Sequence, residues 1–257
     1  MPESRLPHPQ GAVAWLDMHV TRQEEALRFY QPILGWSGDP QPDEPQHFAV
    51  QSVGGRPVAG IGLLEPDRQN VPWTGYFAVT DVDAAVARIG ALGGEVACPA
   101  TAIPGVGRFA HGIDPGGAFF ALWEADPFPG MQAEREPGCL YWLELVTHEG
   151  KASAEFYGAL LGRQFEPMEQ MPDAYWTVEV EGVPRAGIFR TEEHDKPHWR
   201  PYFQVADVDR AVADAVAAGA RKVGEPQDTP FGRMGALIDP FGFEIMVATP
   251  PPGGPES

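Results

Sequence analysis

WRPYFQVADVDRAV, residues 199–212, rewrites WTGYFAVTDVDAAV, residues 73–86. In the first copy Tyr76, Ala78 and Thr80 alternate with Phe77 and Val79, the period of a strand. Asp81 then stands where a helix N-cap belongs, and Val82, Val86 and Ile89 continue at helical spacing until Gly93-Gly94. The second copy repeats each sign, with Tyr202 and Gln204, then Asp207, then Val208, Val212 and Val216, then Gly219. Each copy therefore reads as a strand running into a capped helix.

Working outward, the same spacing recurs. Trp142 follows Trp15, Phe156-Tyr157 follows Phe29-Tyr30, Leu161-Gly162 follows Leu34-Gly35 and Ala186-Gly187-Ile188 follows Ala59-Gly60-Ile61, each by 127 residues. Asp239-Pro240 follows Asp114-Pro115 by 125. A shared offset over separate landmarks marks an internal duplication. Each half reads βαββ(β) followed by βαβββ. In the first half the elements are a strand at 12–20, a helix with an expected Thr21–Glu24 capping box, and a Gly54-Gly55 hairpin between strands at 47–53 and 57–64. A polar connection over 65–72 leads to the quoted stretch. A strand at 95–98, a Pro/Gly-rich loop over 99–107 and two strands meeting at the Asp114-Pro115-Gly116-Gly117 turn close the half. Residues 126–137, rich in Pro, Gly and charge, read as a linker. The domains are thus 11–125 and 138–249. The pattern leaves open whether modules pair within a half or across halves.

Composition limits the function. The 257 residues carry a net charge of −18 and 43% apolar residues. That charge repels phosphate backbones and anionic membranes, so neither nucleic acid nor membrane is an expected partner. No apolar run reaches spanning length. The two cysteines, Cys98 and Cys139, form no metal or disulfide pattern, which suits a reducing cytoplasm.

A strand, a helix carrying F-Y then L-G, a strand leading into a D-V-D helix and a closing D-P-x-G hairpin together resemble the vicinal oxygen chelate superfamily. That group includes glyoxalase I, the bleomycin- and fosfomycin-resistance proteins and the extradiol dioxygenases. Two such domains in one acidic chain are similar to the tandem actinobacterial glyoxalase-like proteins. The resemblance implies an α+β protein of two tandem glyoxalase-like domains, each a pair of βαβββ modules with curled mixed sheets around a concave cavity. It also implies metal ligands at stated places, and this sequence departs from each of them. The first-strand His is Trp15 and Trp142, the D-V-D-strand His is Thr74 and Arg200, and the closing Glu is Ala121 and Met246. The remaining carboxylate is missing from Ala59–Leu64 and from Ala186–Arg190. Divalent ions need several converging N or O donors, so no metal and no cofactor is expected.

Strand alternation sorts the other candidates. Trp15, Asp17 and His19 share one face with Tyr76, and Trp142 and Glu144 share the equivalent face with Arg200, Tyr202, Gln204, Glu244 and Met246. The opposite faces are apolar: Leu16, Met18, Phe77 and Val79, then Leu143, Leu145, Phe203, Val205, Ile245 and Val247. Trp15 and Trp142 are the expected walls for a planar ligand. Asp17 and Glu144 are candidate general bases or grips for an amine or hydroxyl. Arg200 either pairs with Glu144 or Glu244 or binds a ligand carboxylate. His47 and His111 are further proton-transfer candidates, opposite alanines in the other half. The expected function is metal-independent binding of a small organic molecule, a metabolite or an antibiotic. The alternatives are a lyase, isomerase or hydroxylase-type enzyme using Asp17 or Glu144, and an interaction-only pseudo-dimer. The more polar second half suits a polar ligand, and the first half an aromatic one.

Overall fold

The computed structural model describes residues 8–40, 48–194 and 196–251, so His47, the start of the expected strand at 47–53 and the chain ends lie outside the described residues. In chain order the first half forms β1 (Val13–Val20), α1 (Gln23–Leu34), β2 (Ala49–Val53), β3 (Arg56–Leu63), β4 (Val71–Ala78), α2 (Val82–Ala91), β5 (Glu95–Ile103), β6 (Gly107–Ile113) and β7 (Phe119–Ala125). The second half forms β8 (Leu140–Thr147), α3 (Gly150–Leu161), β9 (Phe165–Pro167), β10 (Tyr175–Val180), β11 (Val183–Arg190), β12 (His198–Gln204), α4 (Val208–Ala217), β13 (Arg221–Thr229), β14 (Gly232–Ile238) and β15 (Glu244–Thr249). Two open mixed sheets result, ordered β2-β3-β1-β4-β7-β6-β5 and β13-β14-β15-β12-β8-β11-β10-β9. No helix among the described residues is long and apolar enough to cross a membrane.

The local chemistry explains most boundaries. Asp81 and Asp207 cap α2 and α4, each accepting a hydrogen bond from the amide three residues on, Ala84 and Arg210. Gly35 and Gly162 end α1 and α3 in the left-handed conformation. Gly54 and Gly55, at φ 56° and 76°, make the β2–β3 turn. Three expectations need correcting. The Thr21–Glu24 capping box does not form: Arg22 holds the cap position without a side-chain bond to the helix amides. Thr21 is drawn to Asn70 instead, whose Oδ1 accepts from its amide at 2.9 Å. Pro99 does not open a loop, because β5 runs on to Ile103. β5 is the edge of its sheet and its pairing with β6 shifts register on both sides of Cys98, which is where a strand tolerates proline. The expected connection at 65–72 is shorter than read, since β4 already begins at Val71. The linker is also pinned to the fold: Met131 and Ala133 are buried, and the Gln132 amide donates to the Pro57 carbonyl at 2.7 Å.

The chain divides into two compact units, and each takes one module from each half. Unit one comprises Met1–Trp15, Thr74–Gly130 and Leu143–Trp199. It joins the second module of the first half to the first module of the second. Its core gathers round Tyr157 of α3, fully buried between Phe77, Phe120 and Trp199 at ring separations of 5.2–5.9 Å. Trp199 Nε1 donates to Tyr157 Oη at 3.0 Å.

Unit two comprises Leu16–Trp73, Met131–Trp142 and Arg200–Ser257. It makes the complementary combination around Tyr30 of α1. Tyr30 is fully buried against Trp36, Trp73 and Phe203. Trp73 Nε1 donates to Tyr30 Oη at 2.9 Å, and Tyr30 donates in turn to Asp239 Oδ2 at 2.6 Å. The other oxygen of Asp239 accepts from the amides of Phe241 and Phe243, so one carboxylate closes the turn and holds the helix. In unit one Asp114 closes the equivalent turn through the Ala118 amide. Tyr157 and Asp114 shift each other's titration, but no short hydrogen bond closes between them. Phe77 and Phe203, on the apolar strand faces, thus meet helices, each a helix of the other half.

Burial, then Asp239, holds the Tyr30 phenol well above the ordinary tyrosine range, and burial, then Asp114, does the same for Tyr157. An unfolded tyrosine releases its proton near pH 10 while these folded ones keep theirs. The unfolded state then binds fewer protons, so stability present below pH 10 is lost as pH rises. Each such phenol should contribute a slope of about 1.4 kcal/mol per pH unit above pH 10. Tyr30→Phe should lower stability at neutral pH by about 1–3 kcal/mol, by leaving a buried carboxylate oxygen short of a donor. It should also make the alkaline loss shallower. Urea titrations from neutral to strongly alkaline pH test this, and an unchanged alkaline slope in the variant contradicts it.

Candidate functional site

In unit one, four adjacent strands place one residue each in a single row. Tyr76 on β4 pairs with Ala121 on β7, Ala121 with His111 on β6, and His111 with Cys98 on β5. Tyr76 Oη and His111 Nε2 share a hydrogen bond at 3.3 Å. The imidazole lies between Phe109 and Phe119, with ring centroids 5.0 Å away on each side. Trp123 stands edge-on to Tyr76, and Phe128 bridges Trp123 to Trp15 at 6.2 and 5.3 Å. Trp15, Tyr76 and Trp123 are buried, while Phe109, His111, Phe119 and Phe128 are half-exposed. Trp15, expected as a wall for a planar ligand, packs edge-on against Phe128, which already covers part of its indole. This side of the set reaches solvent through His111 and the phenylalanines.

Unit one also holds Glu144, 3% exposed. Tyr175 on β10 donates to its Oε1 at 2.6 Å. That approach depends on Gly187 on β11, where a Cβ would lie 2.4 Å from Tyr175 Oη and under 3 Å from its ring. The duplicated positions in unit two are Asp17, Phe48 and Gly60. Phe48 covers Gly60 but has no hydroxyl, and His19 Nδ1 stands 3.7 Å from Asp17 instead. The two candidate bases thus have different partners, a phenol for Glu144 and an imidazole for Asp17. Tyr175 was not singled out from sequence because it lies 31 residues from Glu144. The available signal was Gly187, a residue with no side chain at the centre of a buried strand.

The rest of the expected polar set lies in unit two. Arg200 pairs with Glu244 at 2.7 Å, with both side chains about nine-tenths buried. Its guanidinium sits 5.7 Å from the Tyr202 ring centroid. Met246 pairs with Tyr202 across β12 and β15. Gln204 is buried, and its Oε1 has no hydrogen-bond partner among the described residues. Trp142 is half-exposed. Elsewhere, His148 bonds to the His194 carbonyl, and the His194 and His198 rings meet at 5.4 Å. Two open surface recesses are lined by none of these residues: one of about 580 Å³ beside Arg22, Glu25 and Arg28, one of about 440 Å³ beside Arg163, Glu166 and Thr177, the last paired with Gly187.

The strand positions where the resemblance implies metal ligands do not suit a divalent ion. In unit one they offer an indole packed on Phe128, the Thr74 hydroxyl and the Ala121 methyl. In unit two they offer an indole, a guanidinium already paired with a carboxylate, and a thioether. Neither trio supplies the several N or O donors that such ions require.

A family model described as a glyoxalase-like domain matches residues 142–248. CFP32 of Mycobacterium tuberculosis, which carries a glyoxylase name, is 35% identical over 96% of this chain and 98% of its own. The anthracycline biosynthesis protein DnrV of Streptomyces peucetius is 32% identical over 92% of each. The Mn(II)-bound glyoxalase from Novosphingobium aromaticivorans shares the fold at a TM-score of 0.66 and 16% identity, over 95% of this chain and 83% of that one.

Gly187→Ala should displace Tyr175 and separate it from Glu144, costing about 1–3 kcal/mol of stability. Combined with Tyr175→Phe, the two losses should sum to less than their separate values, because both act on one hydrogen bond. A double-mutant cycle by urea denaturation measures this, and strict additivity contradicts it.

Proposed function

Because the chain belongs to the vicinal oxygen chelate superfamily, we propose that it binds a small, planar aromatic molecule without the superfamily's metal. The observation that carries this reading is the contiguous aromatic set of unit one, Trp15, Tyr76, Trp123 and Phe128 with His111 at its half-exposed edge. Aromatic ligands stack on the half-exposed members of such a set, Phe128 and His111, with the buried rings as their backing. The unsuitable side chains at the ligand positions support metal independence. The likeness to DnrV supports the ligand class, a polycyclic aromatic of the kind its name mentions. The two free cysteines suit a cytoplasmic setting. The Arg200, Tyr202, Gln204, Glu244 and Met246 set, with Trp142, is a second binding region in this reading, selecting polar substituents.

A catalytic reading is favoured by one observation, the 2.6 Å bond between Tyr175 and Glu144. A buried carboxylate beside a phenol can exchange a proton with a bound ligand. In that case turnover survives chelators and is lost in Glu144→Gln, whereas binding alone persists without turnover.

Purified protein offered zinc, nickel, manganese or ferrous iron should retain well under one tightly held ion per chain, by elemental analysis. An anthracycline should raise its melting temperature, equally with and without chelator, because a ligand that binds only the folded state stabilises it. Tyr76→Ala should weaken that binding by about 1–3 kcal/mol. A stoichiometric bound ion, or a melting shift that vanishes on chelation, contradicts metal independence.

A further inference from the structure

We infer that the Tyr76–His111 pair is an oxygen-recognition site that selects hydroxylated over unsubstituted aromatic ligands; this rests on the aromatic-binding reading above. β4 and β6 are separated by β7, so the two side chains start about 10 Å apart, twice the strand spacing. They share a hydrogen bond only because the residue between them on the same face, Ala121, is a methyl group. The second half shows what happens otherwise. Its row runs Tyr202, Met246, Ala236 and Val223, with a long thioether at the centre and no imidazole. The first half thus combines three features that its copy lacks together: a phenol, an imidazole and a small residue that lets them meet.

The pair is not sealed in the core. Tyr76 is buried, but His111 is half-exposed and flanked by two half-exposed phenylalanines, so a flat ligand on these rings meets the imidazole edge first and the phenol behind it. A phenol and an imidazole can each donate or accept. Held side by side, they fit a hydroxyl or a quinone carbonyl with an adjacent hydroxyl, and they exchange protons with it without any net change in charge. An unsubstituted ring edge offers neither a donor nor an acceptor and forfeits the exchange.

The test uses two dyes that differ in this respect, alizarin, whose ring carries adjacent hydroxyls, and its unsubstituted parent anthraquinone. Binding to the full chain is followed by tryptophan quenching and calorimetry in one cosolvent. The parent protein should prefer alizarin by roughly tenfold, the effect of one well-placed hydrogen bond. Tyr76→Phe, which removes a single oxygen, should reduce the ratio to near unity, and so should His111→Ala. Ala121→Met, which installs the residue of the second half, should do the same while leaving both polar side chains in the sequence. Imidazole NMR of the unliganded protein gives a readout free of ligand: the His111 resonance should move in Tyr76→Phe. An alizarin preference that survives in Tyr76→Phe and Ala121→Met overturns the inference while leaving aromatic binding intact. Equal affinity for both dyes in the parent protein does the same. Failure of both dyes to bind overturns the aromatic-binding reading and this inference with it.

Discussion

The hydrogen bond from Tyr30 to Asp239 joins a helix of the first half to a turn of the second. The phenol is fully buried and takes a second bond from Trp73, so all of its polar capacity is used inside the protein. The carboxylate is shared between that phenol and two amides of its own hairpin. Such a junction is costly to break, because either group left alone would be buried without its partner. Tyr157, Trp199 and Asp114 repeat the arrangement in unit one with the halves exchanged, though with a looser carboxylate contact. Each compact unit is therefore built from one module of each half, and neither half owns a complete core.

On this duplicated scaffold the polar groups have diverged. Glu144 has a phenol partner where Asp17 has an imidazole. Tyr76 reaches His111 where Tyr202 lies under Arg200, itself bound to Glu244. Duplication allows this division: one copy of a position can change while the other continues to serve the core. The backbone contacts at Gly60 and Gly187 show how closely the two remain related. In both, an aromatic ring lies over a glycine, and a single oxygen distinguishes Phe48 from Tyr175.

Much of the scaffold was legible because its signals are local. The caps Asp81 and Asp207 and the apolar alternation through Phe77 and Phe203 can be read within a few residues, and the 127-residue offset between Trp15 and Trp142 only repeats such local signs. Module exchange was not legible, since the repeat has the same pattern whether Tyr30 meets Asp114 or Asp239. Thr21 looks like a cap until Asn70, 49 residues away, claims it. Pro99 looks like a loop former until β5 proves to be an edge strand. The candidate site was partly legible. Trp15, Asp17, Glu144 and Arg200 followed from strand alternation, and the Arg200–Glu244 pair was one of the stated alternatives. The Tyr76–His111 and Glu144–Tyr175 bonds depend on which strands lie two apart and on small residues between or beneath them. No spacing in the sequence records that.

The most direct measurement separates the halves. The chain is divided between Gly130 and Met131, and residues 1–130 and 131–257 are produced alone and together. If each core requires a module from both, the two pieces should copurify as a one-to-one complex with the cooperative unfolding of the intact chain. Neither piece alone should be a folded monomer. A cooperative, monomeric fold in either isolated half would contradict the exchange of modules on which the structure is built.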